Sequence, residues 1–447
     1  MKKVAESKYG KIAFTILAVA SCMACFYPAV HPEGGGAANT GNIAWMLSAS
    51  GLVLLMTPGL AFFYGGMVQS KNIISTMLQG FISLGIVSIL WYFVGFSLAF
   101  GDSLGGLIGN PRTFFMFNNV GTAAHPTLGN GLPLVLFAAF QLKFAIITPA
   151  LITGGFAERI NFWGYLLFIC LFTILIYCPL AHWAWHPNGF LAKWGVLDFA
   201  GGTVVHISAG FAALAGAIVL GRRQSHLNGE AHTPVNIPYV ILGAGLLWFG
   251  WFGFNAGSAL AADHVAVLAF INTNMASAAA MLSWILFDAA KGKKPSALGA
   301  CIGAVVGLVA ITPAAGYVDF GPSIFIGVLA SVVSNYAVHW KSRSSLDDTL
   351  DVFPCHGVGG IVGMIATAVF AKHGGLINGS STLLFYHILA LVVVGCFTFF
   401  GSYLLLKLTR AIIPLRVQPE QEQLGLDLSQ HEESIQAGLL ELSESHN

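Results

Sequence analysis

Charged residues are scarce in this sequence. Asp, Glu, Lys and Arg together make up 9% of its 447 residues, against about 25% in an ordinary soluble domain. Because 56% of the residues are hydrophobic, a water-soluble globule could not keep enough polar surface toward solvent, and a disordered chain would need far lower hydrophobicity. The net charge of +1 provides no basic face for a nucleic acid. The composition therefore predicts a polytopic protein of the lipid bilayer.

Cysteines are also few, and none is spaced for chemistry. All of them lie in apolar stretches, without the spacing of metal ligands or of an extracellular disulfide framework; they are Cys22, Cys25, Cys170, Cys178, Cys301, Cys355 and Cys396. The chain likewise offers no nucleophile–base set and no phosphate-binding glycine loop at a suitable spacing. We therefore expect neither an enzyme nor a bound metal or other cofactor.

Long apolar runs are what the sequence has in quantity. A helix needs roughly 20 apolar residues to cross the hydrocarbon layer. Eleven runs of this kind lie at 43–67, 72–100, 131–155, 160–181, 200–221, 236–260, 264–289, 296–313, 317–339, 352–371 and 382–408. We expect an all-α polytopic membrane protein with eleven transmembrane helices, a transmembrane domain at 43–408 and a tail at 409–447.

The first 30 residues have the pattern of a secretory signal peptide. Four lysines precede a short apolar core, and a segment rich in small residues follows. Val19-Ala20-Ser21-Cys22 also looks like a lipoprotein cleavage box. We therefore interpret residues 1–30 as a signal peptide that is cleaved, with a retained additional helix as the alternative.

The distribution of Lys and Arg predicts the orientation. If residue 43 begins outside, the cytoplasmic segments carry twelve Lys and Arg, whereas the outer segments carry three, Arg112, Lys193 and Lys372. This is the asymmetry that the positive-inside rule requires. The transmembrane domain is therefore expected to start outside after cleavage of the leader, and the C-terminal tail is expected to be cytoplasmic.

The fifth and tenth runs begin with similar segments. One extends from Asp198 to His206 and the other from Asp351 to Gly360, and each has an Asp, glycines and one His. Since the two segments occupy the same place in successive five-helix halves, the second half must be inverted, as in transporters whose repeats are related by an in-plane axis. We therefore predict a five-plus-five inverted repeat plus one helix, with a site between the halves near mid-membrane.

His206 and His356 are the ionisable residues that this repeat singles out. Ionisable groups inside membrane spans are costly and usually functional, although a single His in a helix is more often a hydrogen-bonded core residue. Because one run enters from outside and the other from inside, the two imidazoles should approach each other and could relay hydrogen bonds. Asp351 is expected chiefly to cap its helix, whereas Asp198 could also stabilise a cation at the outer mouth.

Aromatic residues alternate with glycine at Trp248–Ser258. Glycines let helices approach closely, while the rings could fill a narrow lumen. Phe254 and Ser258 share one helix face, and so do Phe140 and Phe144. Aromatic residues at helical spacing are usually packing residues, so the spacing alone does not establish a pore.

At these residues the sequence resembles the ammonium transporter (Amt/Mep/Rh) family, in particular its bacterial Amt branch. The resemblance extends from residue 43 to about residue 434. The segments that carry it are Phe140-Gln141 with Phe144, Ala157-Glu158-Arg159, Ala181–Trp185, Asp198–His206, Gly250–Ser258, Asp351–Gly360 and the tail residues Leu415–His431.

The resemblance implies an ammonium transporter that forms a homotrimer, with one conducting path in each subunit. Ammonium would be recruited at an outer aromatic site, give up a proton and cross as ammonia. The implied roles are substrate recruitment for Phe140, Trp185, Ser258 and Asp198, a pore gate for Phe144 and Phe254, a pore relay for His206 and His356, and a cytoplasmic constriction for Tyr64.

The resemblance also implies a location and a partner, the bacterial inner (plasma) membrane and a PII-type nitrogen regulatory protein at the cytoplasmic face. A Rh-like channel for ammonia or carbon dioxide is one alternative function, which an aromatic cation site at Trp185 disfavours. An ammonium sensor is the other. Lys143, inside the third run, departs from expectation because a lysine there is costly; we expect it to have a structural or subunit-interface role.

Overall fold

The computed structural model describes residues 2–34, 39–230 and 232–435, and its regular structure is mainly helical. The long helices are α1 (Lys2–Phe26), α2 (Thr40–Met67), α3 (Ser70–Phe100), α4 (Leu134–Gly155), α5 (Phe162–Lys193), α6 (Gly202–Leu220), α7 (Ile237–Gly257), α8 (His264–Ala290), α9 (Ala297–Ile311), α10 (Phe320–Ser342), α11 (Phe353–Phe370) and α12 (Thr382–Ile412). Two short antiparallel strands, β1 (Ser103–Leu104) and β2 (Ile108–Gly109), lie between α3 and α4. Residues 436–447 of the expected tail lie outside the described residues.

Eleven helices in the described part of the chain are long and apolar enough to cross a membrane. This confirms the predicted all-α polytopic architecture with eleven transmembrane helices. Ten of them coincide with runs predicted from the sequence, and the eleventh is α1. The predicted run at 296–313 forms the shorter helix α9, which has 15 residues and ends at Ile311. Pro313, two residues further on, has no amide hydrogen with which to continue the helical hydrogen bonds.

Helices α2 and α7 pack closely because glycines lie between them. A Cβ atom on Gly253 would lie 2.6 Å from Cβ of Leu52 and 2.7 Å from the carbonyl oxygen of Ala49. Small residues at a helix interface let two backbones approach to van der Waals contact in the absence of a hydrophobic driving force. The glycines of the Trp248–Ser258 cluster are therefore packing positions between helices.

Helix α1 and the segment after it contact the rest of the chain at two places. Near the beginning of the helix, the ring of Tyr9 lies 6.4 Å from that of Trp163, at the start of α5. Beyond its end, the carbonyl of Val30 accepts a hydrogen bond of 2.7 Å from the amide of Asn119. Residues 27–34 therefore lie against the loop between α3 and α4, which belongs to the outer side in the predicted orientation.

The tail folds back onto the ends of the helices that the predicted orientation places in the cytoplasm. It contains two short helices, α13 (Pro419–Leu424) and α14 (Leu426–His431). The carboxylate of Asp427 accepts hydrogen bonds from the amides of Ile74 (3.1 Å) and Ser75 (2.8 Å). These are amides of the first α-helical turn of α3, which a helix leaves unpaired, so the tail supplies the cap of a distant helix.

Candidate functional site

The two helices that carry the predicted histidines begin in the same way. Helix α6 starts with the π-helical segment Gly202–Ile207, and α11 starts with the π-helical segment Phe353–Val358. Turns of this type are rare and are often found at functional sites. One contains His206 and the other His356, and they are the structural counterpart of the predicted repeat.

The carboxylate of Asp198 holds the start of α6. Its oxygens accept hydrogen bonds from the amides of Gly201 (2.8 Å), Gly202 (2.5 Å) and Thr203 (2.8 Å), and from the hydroxyl of Thr203. These amides would otherwise be unpaired at the helix N-terminus. Asp198 therefore fixes the segment that carries His206, while its negative charge lies beside the outer mouth.

The carboxylate that caps α11 is Asp348, so the cap predicted for Asp351 was wrong. The amides of Val352 and Phe353 donate to Asp348 at 3.1 and 2.7 Å. Asp351 has a left-handed backbone with φ of 58°, and its carboxylate turns instead to Lys341, at 2.7 Å. The cap of α6 and the cap of α11 each precede their histidine by eight residues, a spacing on which the two segments could have been aligned.

His206 and His356 meet between the two helices. Their Nδ1 atoms are 3.4 Å apart, and their ring centroids are 5.4 Å apart. Both are buried, with 1% and 4% of their surface exposed. The ring of His206 also stacks on the indole of Trp251 at 5.4 Å, and its Nε2 lies 3.3 Å from the hydroxyl of Thr312. The two imidazoles are therefore adjacent, as a relay between them would require.

Two phenyl rings lie between the histidines and the side of the molecule that the predicted orientation places outside. The centroids of Phe144 and Phe254 are 4.3 Å apart, and both side chains are almost fully buried. The ring of Phe254 lies 6.1 Å from that of His206. Rings at this separation are in contact, so a solute can pass between them only if one ring moves.

A cavity of about 510 Å³ lies outside the phenyl pair. Trp185, Ser258 and Asp198 are among its lining residues. The indole N–H of Trp185 donates to the carbonyl oxygen of Asp198 at 3.1 Å, and the hydroxyl of Ser258 donates to the carbonyl of Phe254 at 2.8 Å. The serine oxygen thus retains acceptor capacity, and the indole π-face can bind a cation.

Phe140 and Gln141 occupy different positions relative to this cavity. Phe140 is not among the residues that line it; it is buried, and its ring packs against that of Phe144 at 5.0 Å. Gln141 does line the cavity, and its side-chain oxygen has no hydrogen-bond partner among the described residues. The structure therefore brings Trp185, Ser258 and Asp198 together at the cavity, while Phe140 contacts it only through Phe144.

A second, much smaller cavity borders His356 on the side of the histidine pair that the predicted orientation places toward the cytoplasm. Its volume is about 10 Å³, roughly the space that one water requires. His356, Tyr64 and Cys355 are among the residues that line it. The hydroxyl of Tyr64 donates to the carbonyl of Leu151 at 3.0 Å, which holds the phenol in place. Tyr64 therefore narrows the space immediately below the histidines.

Buried charges are paired at the end of the helices that the predicted orientation places in the cytoplasm. Arg223 lies 2.6 Å from Glu158 and 2.9 Å from Asp347. Burial by itself would raise the pKa of Asp347, but the hydrogen bonds and charge of Arg223, together with the charge of Arg159, hold that pKa well below its usual value. This network fixes the segment that leads into α11, and so contributes to the position of His356.

Two other sequence expectations concern Lys143 and bound metals. Lys143 is half-buried on α4 and makes no hydrogen bond or ion pair with another of the residues that the structure describes. A structural or interface role for it stays a prediction. Within residues 2–34, 39–230 and 232–435, no group of three or more His, Cys, Asp or Glu side chains is arranged to hold a metal ion.

Comparison with known proteins decides the family. The model of the Ammonium Transporter Family matches residues 44–435. The chain belongs to the ammonium transporter family. A putative ammonium transporter of Methanothermobacter thermautotrophicus is 47% identical to it over 408 residues, which are 89% of this chain and 98% of that protein.

Solved structures of the family have the same fold. The crystal structure of Saccharomyces cerevisiae Mep2 matches with a TM-score of 0.81 at 35% identity, over 86% of this chain and 88% of that one. A structure described as a sensor Amt protein matches with a TM-score of 0.81 at 33% identity, over 88% of this chain and 98% of that one. Membership in the ammonium transporter family supports ammonium as the substrate. It also supports the assignment of the chain as a multi-pass membrane protein.

Three residues of the site were missed in the sequence. They are Asp348, which caps α11, and Trp251 and Thr312, which contact His206. Trp251 was treated as one ring of an aromatic cluster because its neighbours are also aromatic. Thr312 had a usable signal, since it is a polar residue at the end of an apolar run, immediately before Pro313.

Proposed function

We propose that this member of the ammonium transporter family recruits ammonium at an outer aromatic site, removes its proton there and conducts ammonia past His206 and His356. The observation that carries the proposal is the order of groups along one direction. A polar aromatic cavity is followed by two phenyl rings in contact, two adjacent imidazoles and a small cavity at Tyr64. This order suits a cation that must lose its charge before it meets an apolar barrier.

Recruitment of the cation is assigned to Trp185 and Ser258. A cation on a desolvated indole face gains about 2 kcal/mol. The oxygen of Ser258 can accept an ammonium N–H because its own hydrogen is donated to a backbone carbonyl. Asp198 supports the site by holding the indole through its carbonyl oxygen and by adding negative charge nearby. Phe140 supports it through its contact with Phe144.

The phenyl pair makes loss of the proton favourable. Phe144 and Phe254 are buried and in contact, and taking a bare ion through such a region costs several kcal/mol or more. Neutral ammonia avoids most of that cost. Potassium has no proton to lose and no N–H to donate, so the same barrier excludes it.

The histidine pair provides the polar lining below the phenyl rings. A neutral imidazole has one N–H donor and one acceptor nitrogen. His206 and His356 can therefore exchange hydrogen bonds with each other and with ammonia inside an otherwise apolar segment. Tyr64 then forms the cytoplasmic constriction through which ammonia leaves.

The proposal includes an assembly, a location and a partner. We propose a homotrimer in a bacterial inner membrane, with residues 43–408 as the transmembrane domain, its first residues outside and the tail at 409–447 in the cytoplasm. Exposed apolar side chains such as Leu286 (66%) and Leu404 (65%) support a covering of lipid or neighbouring subunits. The tail on the cytoplasmic face offers a surface for a PII-type regulatory protein.

An ammonium sensor is the second candidate function. It is favoured by the match to a structure described as a sensor Amt protein. A sensor would bind ammonium at the same outer cavity without conducting it. A Rh-like gas channel is disfavoured, since a neutral gas gains nothing from a cation site at Trp185.

Uptake of ¹⁵N-ammonium into proteoliposomes, with currents recorded in parallel on ammonium and potassium jumps, tests the proposal. We expect uptake of ammonium and no response to potassium. His206→Ala and His356→Ala should each abolish selective uptake while the assembly stays intact, whereas His373→Ala, at an exposed histidine, should have no effect. Unaltered uptake and selectivity in both pore variants would contradict the proposed relay, and binding without uptake in the natural chain would favour the sensor.

A further inference from the structure

The hydroxyl of Thr312 makes three hydrogen bonds at the end of α9. This hydroxyl is fully buried and lies 2.7 Å from the carbonyl oxygen of Leu308, 2.9 Å from Nε1 of Trp251 and 3.3 Å from Nε2 of His206. The hydroxyl therefore joins one histidine of the pair to a helix backbone and to a neighbouring indole. It does not line either of the two cavities described above.

The single hydrogen of this hydroxyl has one destination. The amide of Thr312 donates to the carbonyl of Val309 rather than to that of Leu308, and the hydroxyl donates to the Leu308 carbonyl in its place. The indole N–H of Trp251 is a donor only, so it uses one lone pair of the threonine oxygen. What remains for His206 is an acceptor, and Nε2 of that ring must carry a hydrogen.

This assignment fixes the hydrogens of both imidazoles. Burial among aromatic rings favours neutral imidazoles, and a neutral His206 with its hydrogen on Nε2 has a lone pair on Nδ1. That atom faces Nδ1 of His356 at 3.4 Å, where two lone pairs could not form a hydrogen bond. His356 therefore carries its hydrogen on Nδ1 and donates it to His206, and its own Nε2 is an acceptor.

We infer that Thr312 is a positioning residue that sets the tautomers of the histidine pair. The inference rests on the proposed function and deepens it, because it gives the relay a direction. Hydrogen bonds run from His356 to His206 and from His206 through Thr312 to the Leu308 carbonyl. The free acceptor of the pair is Nε2 of His356, on the ring that borders the cavity at Tyr64. An N–H of a solute, or a proton, on that side therefore meets a lone pair.

The tautomers can be read directly in the natural chain. The full-length protein, labelled with ¹⁵N-histidine and reconstituted in lipid bilayers, gives imidazole ¹⁵N shifts that distinguish protonated from unprotonated nitrogens. His206→Asn and His356→Asn assign the two rings by the loss of their signals. We expect a hydrogen on Nε2 of His206 and on Nδ1 of His356. A hydrogen on Nδ1 of His206 would overturn the inference, whatever the transport assay shows.

A matched pair of variants tests the part played by Thr312. Thr312→Val keeps the shape and removes the hydroxyl, whereas Thr312→Ser keeps the hydroxyl. We expect Thr312→Val to show mixed or reversed tautomers and roughly a tenfold or larger fall in the maximal rate of uptake, with an unchanged half-saturation concentration, because the outer cavity is untouched. Thr312→Ser should restore both readouts. Natural tautomers in Thr312→Val, or loss of function in Thr312→Ser with an intact fold, would overturn the inference.

The two levels of the proposal fail in different ways. If the natural chain binds ammonium without transporting it, the proposed transport function fails, while the ¹⁵N shifts still decide the tautomers. If the chain transports ammonium but His206 is protonated on Nδ1, the transport function stands and the role of Thr312 is refuted.

Discussion

At the scale of single residues, the proposed cation site consists of a ring and a hydroxyl. The indole of Trp185 is held by the backbone carbonyl of Asp198, and the hydroxyl of Ser258 is turned by the carbonyl of Phe254. In both cases a backbone carbonyl accepts a hydrogen bond from the side chain. The π-face of the ring and the lone pairs of the oxygen are thereby left for the solute.

Trp185→Leu should weaken recruitment when ammonium is scarce. The loss of a cation–π contact worth up to about 2 kcal/mol corresponds to an increase of roughly 30-fold in the half-saturation concentration. Trp185→Phe, which keeps an aromatic face, should lose less. Concentration-dependent uptake by the two variants measures this difference, and an unchanged half-saturation concentration in Trp185→Leu would exclude the ring from recruitment.

Asp347 should make the free energy of unfolding depend on pH in the acid range. Its folded pKa lies below the ordinary 3.8, so its contribution is complete above about pH 4 and is lost as the pH falls below that value toward the folded pKa. Asp347→Asn removes a charge from a buried pair, which costs about 3–5 kcal/mol. The unfolding temperature of Asp347→Asn should be well below that of the natural chain at pH 7. The difference between the two unfolding temperatures should narrow below pH 4.

A surface pair serves as the control for that pH series. Asp319 lies 2.6 Å from Lys372, and the two side chains are 65% and 37% exposed; exposed pairs contribute about 0–1 kcal/mol. Asp319→Asn should therefore change the unfolding temperature little at any pH. A gap for Asp347→Asn that stays constant from pH 3 to pH 8 would show that Asp347 does not titrate as argued.

Some residues of the site could be predicted from the sequence and others could not, because they differ in how far they stand out from their neighbours. His206 and His356 were found because an ionisable group in a span is conspicuous and because the two recur in equivalent runs. Asp348 was missed because it lies in a polar joint with other acidic residues, where the alignment was made on Asp351. The recruitment role of Phe140 was implied by the family resemblance alone, and a resemblance in sequence does not say which rings a neighbouring helix covers.

At the scale of elements, the two π-helical starts depend on their caps. The carboxylate of Asp348 takes the amides of Val352 and Phe353 at the start of α11. Burial raises the pKa of Asp348 to about 6, against the opposing charge of Lys341. The cap therefore carries its full charge only above that pH.

Asp348→Ala should loosen the start of α11. Loss of an N-cap costs about 1–2 kcal/mol, and the histidine eight residues on should shift, so both the unfolding temperature and the ammonium uptake should fall. Asp319 is the control, because it occupies the N-cap position of α10 without a side-chain hydrogen bond to the helix. Equal effects of Asp348→Ala and Asp319→Ala in thermal unfolding and uptake would refute the capping role.

Helices were predicted more reliably than their internal geometry. Apolar length alone identifies a membrane span, since backbone groups in hydrocarbon must be paired within the helix. The π-helical turns of α6 and α11 have no comparable signature in the composition of the sequence. They depend on which preceding carboxylate accepts hydrogen bonds from the first amides and on which helices pack against the turn.

At the scale of the whole molecule, the N-terminal segment joins the outer loop. Val30 and Asn119 are hydrogen-bonded, so removal of residues 27–34 would leave the loop amide without its partner. We therefore expect processing of the signal peptide, which we placed at residues 1–30, to occur before Tyr27. Intact-mass spectrometry of the purified protein measures the mature terminus, and a terminus beyond Tyr27 would contradict this expectation.

The C-terminal tail is hydrogen-bonded to the start of α3. Asp427 closes the first turn of α3 from 352 residues away in the chain. A protein that bound the Asp427 carboxylate would have to break these hydrogen bonds, and the amides of Ile74 and Ser75 would then need water or a new acceptor. By thermodynamic linkage, any change that frays the start of α3 would make Asp427 more available to such a protein, so binding of that protein and the stability of the helix would depend on each other.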